Sequence, residues 1–445
     1  MIIERRSMLL AKGKQAAGRI GYLGILLSSL WLHGDDPKYP FITTQSPLTL
    51  FSTQDAELAV FRRGGPTVMP ESYELTAQDS FTVIHLGPDH PPVVKTIYGT
   101  IACSILGTPT MAVSPDGHYG FVINHSFRTE GSIFERIQYP PNQPLTNRDL
   151  ERVDLGRQDL SPQLADMVSV VDLHDPSHPV VDRLLLDSPA MHLLIHPDGK
   201  RYFALGLTQC HVLEFEGQRL KCLDTTDIPY GEGCFWMHPD GKHILAGRSP
   251  SMRQDIPAIL EWYEIRGNKV RRGCEIRNAP GVDVTNGSSG CIVRITPDGK
   301  RGFICQRTMD NGKDLCDVMI ADLTLEHPLV TQVIPQVNDG LESFAFHPNG
   351  KMAVVTCLEN PAKNSLAVLD IQSDPPRLLY HLDAAAASQG VEFTPEGDRL
   401  FLGSPVHGRI EVFDVVGEFE LVKNPKFIKI GYGHNSLSMG PRYRH

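Results

Sequence analysis

Two apolar runs joined by a tight, proline-led turn recur along this chain, and few architectures tolerate such a phrase so often. It reads MAVSPDGHYGFVIN at Pro115, LLIHPDGKRYFALG at Pro197 and FWMHPDGKHILAG at Pro239. It returns as IVRITPDGKRGFIC at Pro297, FAFHPNGKMAVVT at Pro348 and VEFTPEGDRLFLG at Pro395. Proline presets φ at the first turn position, and the acidic or amide residue tolerates the second. Glycine then takes the left-handed conformation that closes the hairpin. One such turn means little. Six of them, at intervals of 82, 42, 58, 51 and 47 residues, predict the blades of a β-propeller.

A second phrase runs out of phase with the first. VSVVDLHDPSHPVVDRLLL, VMIADLTLEHPLVTQVI and LAVLDIQSDPPRLLYHL each read strand, polar turn, strand, and so does FTVIHLGPDHPPVVKTIYG near the start. Together the phrases make a four-stranded blade with strands A to D, the Pro-Asp-Gly turn joining A to B. The chain ends complete the count. Pro441 follows Pro395 by 46 residues with an apolar A-like strand before it, and no B, C or D strand after it. Near the start, ELAVFRR reads as strand B and Phe81–Tyr98 as a C–D hairpin without an A strand. Pairing the two ends gives a seventh blade and removes the free sheet edges. The expectation is an all-β, seven-bladed propeller over residues 46–445, preceded by an extension over residues 1–45.

The phrases xxVxxxPDGKxxxVxx and xxVxDxxxxxPxxxxxx resemble the YVTN-type repeats and the 6-phosphogluconolactonase-like seven-bladed propellers. The resemblance covers roughly residues 46–445. It implies the fold and leaves the activity open, because that superfamily contains lactonases, muconate-cyclising enzymes, lyases and structural or surface proteins. What it implies first is hydrolysis or formation of a cyclic ester; a non-catalytic binding or scaffold propeller is the alternative.

Composition removes other classes. The formal charge is -10 over 445 residues, with no local Lys/Arg run, so nucleic acid is not an expected partner. The nine cysteines form no C-x-x-C and several, Cys234, Cys291, Cys305 and Cys357, fall in apolar runs, which favours a reducing, cytoplasmic setting. Against that, a basic stretch precedes the apolar run Ile20–Leu32, the size of a signal-peptide core. If residues 1–34 act as a signal, the protein is periplasmic or secreted; if residues 20–32 anchor, it touches a membrane. No G-x-S-x-G, H-E-x-x-H, phosphate-binding loop or dinucleotide fingerprint is found in a suitable context.

In such a ring the D–A and B–C loops gather at one mouth of the channel, so chemistry belongs where the repeats differ. Counting back from each turn proline places His192, Glu342 and His434 there as candidate acid/base residues. Arg248, Arg307, Gln389, His125 and His407 are candidates to hold a small polar or anionic metabolite. The histidines His196, His238 and His347, just before the turn prolines, recur with the repeat and read as structural. No cofactor is implied beyond, at most, one divalent metal; His192, His407, His434 and Glu342 have the right chemistry for it but no supporting spacing. The 82-residue interval contains an insertion, Phe127–Asp166, in a B–C connection. A loop this long suggests a lid carrying Arg128 toward substrate, or a docking surface for a protein partner.

Overall fold

At all six turns the glycine N–H donates to the carbonyl of the residue before proline, at 2.8 Å in Gly299 to Thr296 and 3.0 Å in Gly241 to His238. The glycine then adopts positive φ, 67° at Gly241 and 74° at Gly299, a region that residues with a Cβ rarely enter. The second phrase turns differently. Its aspartate caps the loop as an Asx turn: Asp172 Oδ1 accepts from the N–H groups of His174 (2.8 Å) and Asp175 (3.1 Å), and Asp370 repeats this with Gln372 and Ser373.

The computed structural model describes residues 40–54, 80–98, 100, 109–124, 167–249, 259–282, 291–338, 341–357, 365–405 and 407–440, except positions 176, 189, 207, 230, 231, 311, 312, 386 and 387. These form seven antiparallel sheets in a ring and, among the described residues, no helix. Blade 1 runs from Met111–Val113 to Val180–Leu185, blade 2 from Ala190–Ile195 to Arg219–Asp227 and blade 3 from Glu232–Met237 to Lys269–Glu275. Blade 4 runs from Cys291–Ile295 to Leu329–Asn338, blade 5 from Leu341–Phe346 to Arg377–Leu382 and blade 6 from Val391–Phe393 to Glu420–Lys429. Blade 4 carries one extra short strand, Arg277–Asn278, parallel to its outer strand.

Blade 7 closes the ring. The C-terminal strand His434–Ser438 pairs antiparallel with Leu48–Gln54, with a bulge at Thr53/Gln54. Ser80–Leu86 and Val93–Tyr98 follow as strands C and D. Strand B is therefore Leu48–Gln54, not the expected ELAVFRR, which lies outside the described residues. The difference has a physical reason: LTLFSTQ puts Leu50 against the core of blades 6 and 7 while its polar members Ser52 and Gln54 meet buried polar partners. Packing also reaches upstream of residue 46. Ile42 is buried in the same cluster, and the Thr44 N–H bonds Gly87 O at 3.1 Å.

The core lies between blades rather than within them. Phe303, Val318 and Ile320 of blade 4, for instance, pack on Phe344, Val355 and Leu369 of blade 5. The pre-proline histidines add a polar clasp to this packing. Each donates Nε2–H to the turn glycine of the next blade: His196 to Gly241 O (2.8 Å), His238 to Gly299 O (2.9 Å) and His347 to Gly397 O (2.8 Å). Nδ1 meanwhile faces a backbone N–H of its own turn, as in Asp198 N–H at 3.0 Å from His196. Seven cysteines among the described residues are free thiols, five of them buried as small apolar side chains.

Candidate functional site

Strand A of each blade is innermost, and strands A of successive blades touch from blade 1 through to blade 7. Thr110 Oγ1, 3.4 Å from Asn435 Oδ1, links blade 7 back to blade 1. Side chains on these strands decide what the central channel can hold. Most are apolar, but of the residues three places before a turn proline two are charged, Arg294 in blade 4 and Glu392 in blade 6, and blade 3 has the large ring of Trp236.

Arg294 gathers this group. Its guanidinium carbon lies 3.8 Å from the centroid of the Trp236 ring. Its Nη2 donates to Ser343 Oγ of blade 5 at 3.3 Å, and its Nη1 lies 3.8 Å from Glu392 Oε1. Blades 4 and 6 are not neighbours, so the Arg294–Glu392 pair reaches past blade 5 on the channel side. The side chains are 11% and 22% exposed, enclosed enough to escape most salt screening yet open to a small molecule. Next to Ser343 along blade 5, Glu342 Oε2 accepts from Gln389 Nε2 of blade 6 at 3.2 Å. The inner strands of blades 4, 5 and 6 thus carry two polar groups, Arg294 with Ser343 and Glu392, and Glu342 with Gln389.

The two candidate acid/base histidines are buried completely. His192 Nε2 donates to Gly233 O of blade 3 at 2.8 Å, and burial pushes its pKa down to about 4 against hydrogen bonds to carbonyls. His434 is pushed down to about 3 by burial alone. Its Nδ1 lies 2.8 Å from Ser52 Oγ, and its ring fills the cleft over Gly390 and Gly403, where a Cβ on Gly403 would stand 1.9 Å from Nε2. Both rings are neutral at physiological pH and lock blades together.

Arg248 has the same character. Its Nε donates to Glu261 Oε2 at 2.5 Å and its Nη1 to Pro229 O at 2.7 Å. Glu261 also accepts from Tyr263 Oη (2.7 Å) and lies 2.6 Å from Arg272 Nε, so the Arg248 charge is balanced within blade 3. Burial opposes ionisation of Glu261, but the bonds from Arg248 and Tyr263 hold its pKa below the usual value. His407 is exposed on the blade 6 B–C loop, with Nδ1 3.0 Å from Ser404 Oγ. Glu342 and Gln389 are the two candidates that the structure pairs with each other. Arg307 lies on strand B of blade 4, but its side chain, like all of His125, Arg128 and the insertion Phe127–Asp166, is outside the described residues. Of His192, His407, His434 and Glu342, no three place ligand atoms within 4.8 Å of one another.

Trp236, Arg294 and Glu392 stand only three residues before their turn prolines, nearer than His192, Glu342 and His434, which lie five to seven residues before theirs. The signal was present: at the third residue before proline, blades 1, 2 and 5 have Ala112, Leu194 and Ala345, whereas blades 3, 4 and 6 have Trp, Arg and Glu. Charges of opposite sign at one register of a repeated apolar strand mark a shared interior surface.

No family model matches the chain, and no curated protein matches its sequence. Solved structures do match. A candidate 6-phosphogluconolactonase of Bacteroides fragilis gives a TM-score of 0.54 at 14% identity, covering 89% of this chain and 99% of its own. The periplasmic gluconolactonase of Pseudomonas aeruginosa gives 0.54 at 13% identity, covering 88% and 99%. A Lactobacillus plantarum protein gives 0.57 at 8% identity, covering 88% and 98%. The likeness is one of fold: the chain is a seven-bladed β-propeller.

Proposed function

We propose that the protein is a lactonase-like enzyme that binds a small polar or anionic metabolite in the channel and opens or closes a cyclic ester there. The observation that carries this reading is Arg294: one guanidinium inside the channel, set on Trp236 and reaching Ser343 and Glu392 on other blades. A planar fork of donors in an enclosed site suits a carboxylate, a phosphate or the oxyanion of a tetrahedral ester intermediate. In the hydrolytic direction a carboxylate, Glu342 or Glu392, takes a proton from water as its oxygen attacks the lactone carbonyl. The ring C–O bond then breaks, and the leaving alkoxide takes up the proton. The fold neighbours named as gluconolactonases support the substrate class.

The test is acid release at fixed pH from a panel of sugar lactones, with and without phosphate, by wild type, Arg294→Gln, Glu342→Gln and Glu392→Gln. Each variant is first shown to melt cooperatively. Wild type is expected to turn over at least one lactone. Arg294→Gln should lower kcat/KM by about 100-fold, the scale of one lost oxyanion donor. A folded wild type inert toward the whole panel would sink the reaction; full activity in Arg294→Gln would remove the residue as anion holder.

A further inference from the structure

The A–B turn of blade 3, His-Pro-Asp-Gly-Lys-His from His238 to His243, lies at the end of the ring opposite the B–C loops. Here His238, Asp240 and His243 present one ligand atom each, all within 4.8 Å of one another. Asp240 Oδ2 lies 2.7 Å from His243 Nδ1, and Asp240 Oδ1 lies 2.9 Å from His238 Nδ1. The second contact is the informative one. His238 donates Nε2–H to Gly299 O, so the neutral ring has a lone pair, not a proton, at Nδ1. The Asp240 N–H reaches that lone pair only at 3.2 Å. A lone pair and a carboxylate oxygen at this separation repel unless a positive charge sits with them.

Blade 2 shows one way in which that charge is supplied. In blade 2, His196 Nδ1 is likewise 3.0 Å from Asp198 Oδ2, and Arg201 provides the cation. Its Nε is 2.7 Å from Asp198 Oδ2 and its Nη2 is 3.3 Å from His196 Nδ1. In blade 5, Asn349 replaces the aspartate, so no carboxylate faces His347. Blade 3 alone combines the histidine and the aspartate with a second histidine, His243, at the position of Arg201.

We propose that His238, Asp240 and His243 bind a first-row divalent cation, zinc best matching two imidazoles and a carboxylate with water in a fourth position. The surroundings are those of a held site. The Gly299 carbonyl on Nε2–H orients His238 in the way that outer-shell acceptors orient ligating histidines. The His243 ring stacks on Trp262 at 4.9 Å and 15°, which fixes its plane. Because Gly299 belongs to blade 4, the ion fastens the turn of blade 3 to the next blade. It sits apart from the channel and has no part in the reaction proposed there.

The experiment titrates metal-stripped full-length protein with zinc chloride against a chromophoric chelator, and repeats the titration with cobalt(II) to read the ligand type. Wild type should bind one equivalent, with cobalt d–d bands and no intense thiolate charge-transfer band. Asp240→Asn should weaken binding by more than the roughly 10- to 100-fold that a lost outer-shell partner costs. His243→Arg, which rebuilds the arrangement of Arg201, should abolish binding while its melting temperature becomes independent of metal. Should that variant fail to fold, Asp240→Asn decides, since an amide is already housed at this position by blade 5. The proposal is overturned by the absence of a saturable equivalent, by unchanged affinity in Asp240→Asn, or by binding that disappears in Cys222→Ser.

Discussion

Residue type alone does not tell a proton carrier or anion holder from a buried strut, as His192, His434 and Arg248 show, and the reason is burial. A histidine before an A strand looks like a proton carrier until its ring is found at 0% exposure between two blades, as His192 and His434 are. Their depressed pKa values make a pH prediction. Unfolded histidine titrates near 6.5, while the folded rings stay neutral to about 4 and about 3. Below pH 6.5 the unfolded chain therefore binds protons that the folded chain refuses, and stability is lost as pH falls toward 4. Each ring contributes on the order of 1–3 kcal/mol to that loss. Urea melts from pH 7 to 4.5 should show the decline, with a shallower slope in His192→Gln and His434→Gln; an unchanged slope would mean the rings titrate normally. Arg248→Met should cost about 3–5 kcal/mol, because it removes the buried partner of Glu261. Channel activity per folded molecule should survive it, unlike the loss expected for Arg294→Gln.

At the scale of the element, the turn was the most legible feature. Its mechanism is local: proline, a tolerant second residue and a left-handed glycine act without help from the rest of the chain. What the phrase could not show is that its histidine reaches outward. His347 Nε2 lies 2.8 Å from Gly397 O, fifty residues on and in another blade. His347→Ala should lower stability by about 1–3 kcal/mol by leaving that carbonyl unpaired. A melt unchanged within error would show that water replaces the bond without cost. Glycine at position 397 is required twice, for its φ of 77° and because a Cβ would stand 2.5 Å from His347 Nε2.

At the scale of the whole molecule, closure joins His434–Ser438 to Leu48–Gln54. Removing residues 434–445 would expose the Leu48–Gln54 edge and strip Ser52 and Thr53 of their partners His434 and Asn435. The truncated chain is expected to lose its cooperative melt and to aggregate on size exclusion, since an open sheet edge recruits other chains. A monomeric, sharply melting product would show that six blades suffice.

The sequence by itself determined the hairpin, the number of blades and the pairing of the chain ends. All three follow from backbone preferences and periodicity, which short segments carry within themselves. The strand that actually receives the C-terminus, the neutral burial of His192 and His434, the balance of Arg248 by Glu261, and the meeting of Trp236, Arg294 and Glu392 were decided only by the tertiary structure. Each depends on which blade stands beside which, and on how much water that contact excludes. Residues about a hundred positions apart, such as Arg294 and Glu392, become neighbours only when the ring closes around them.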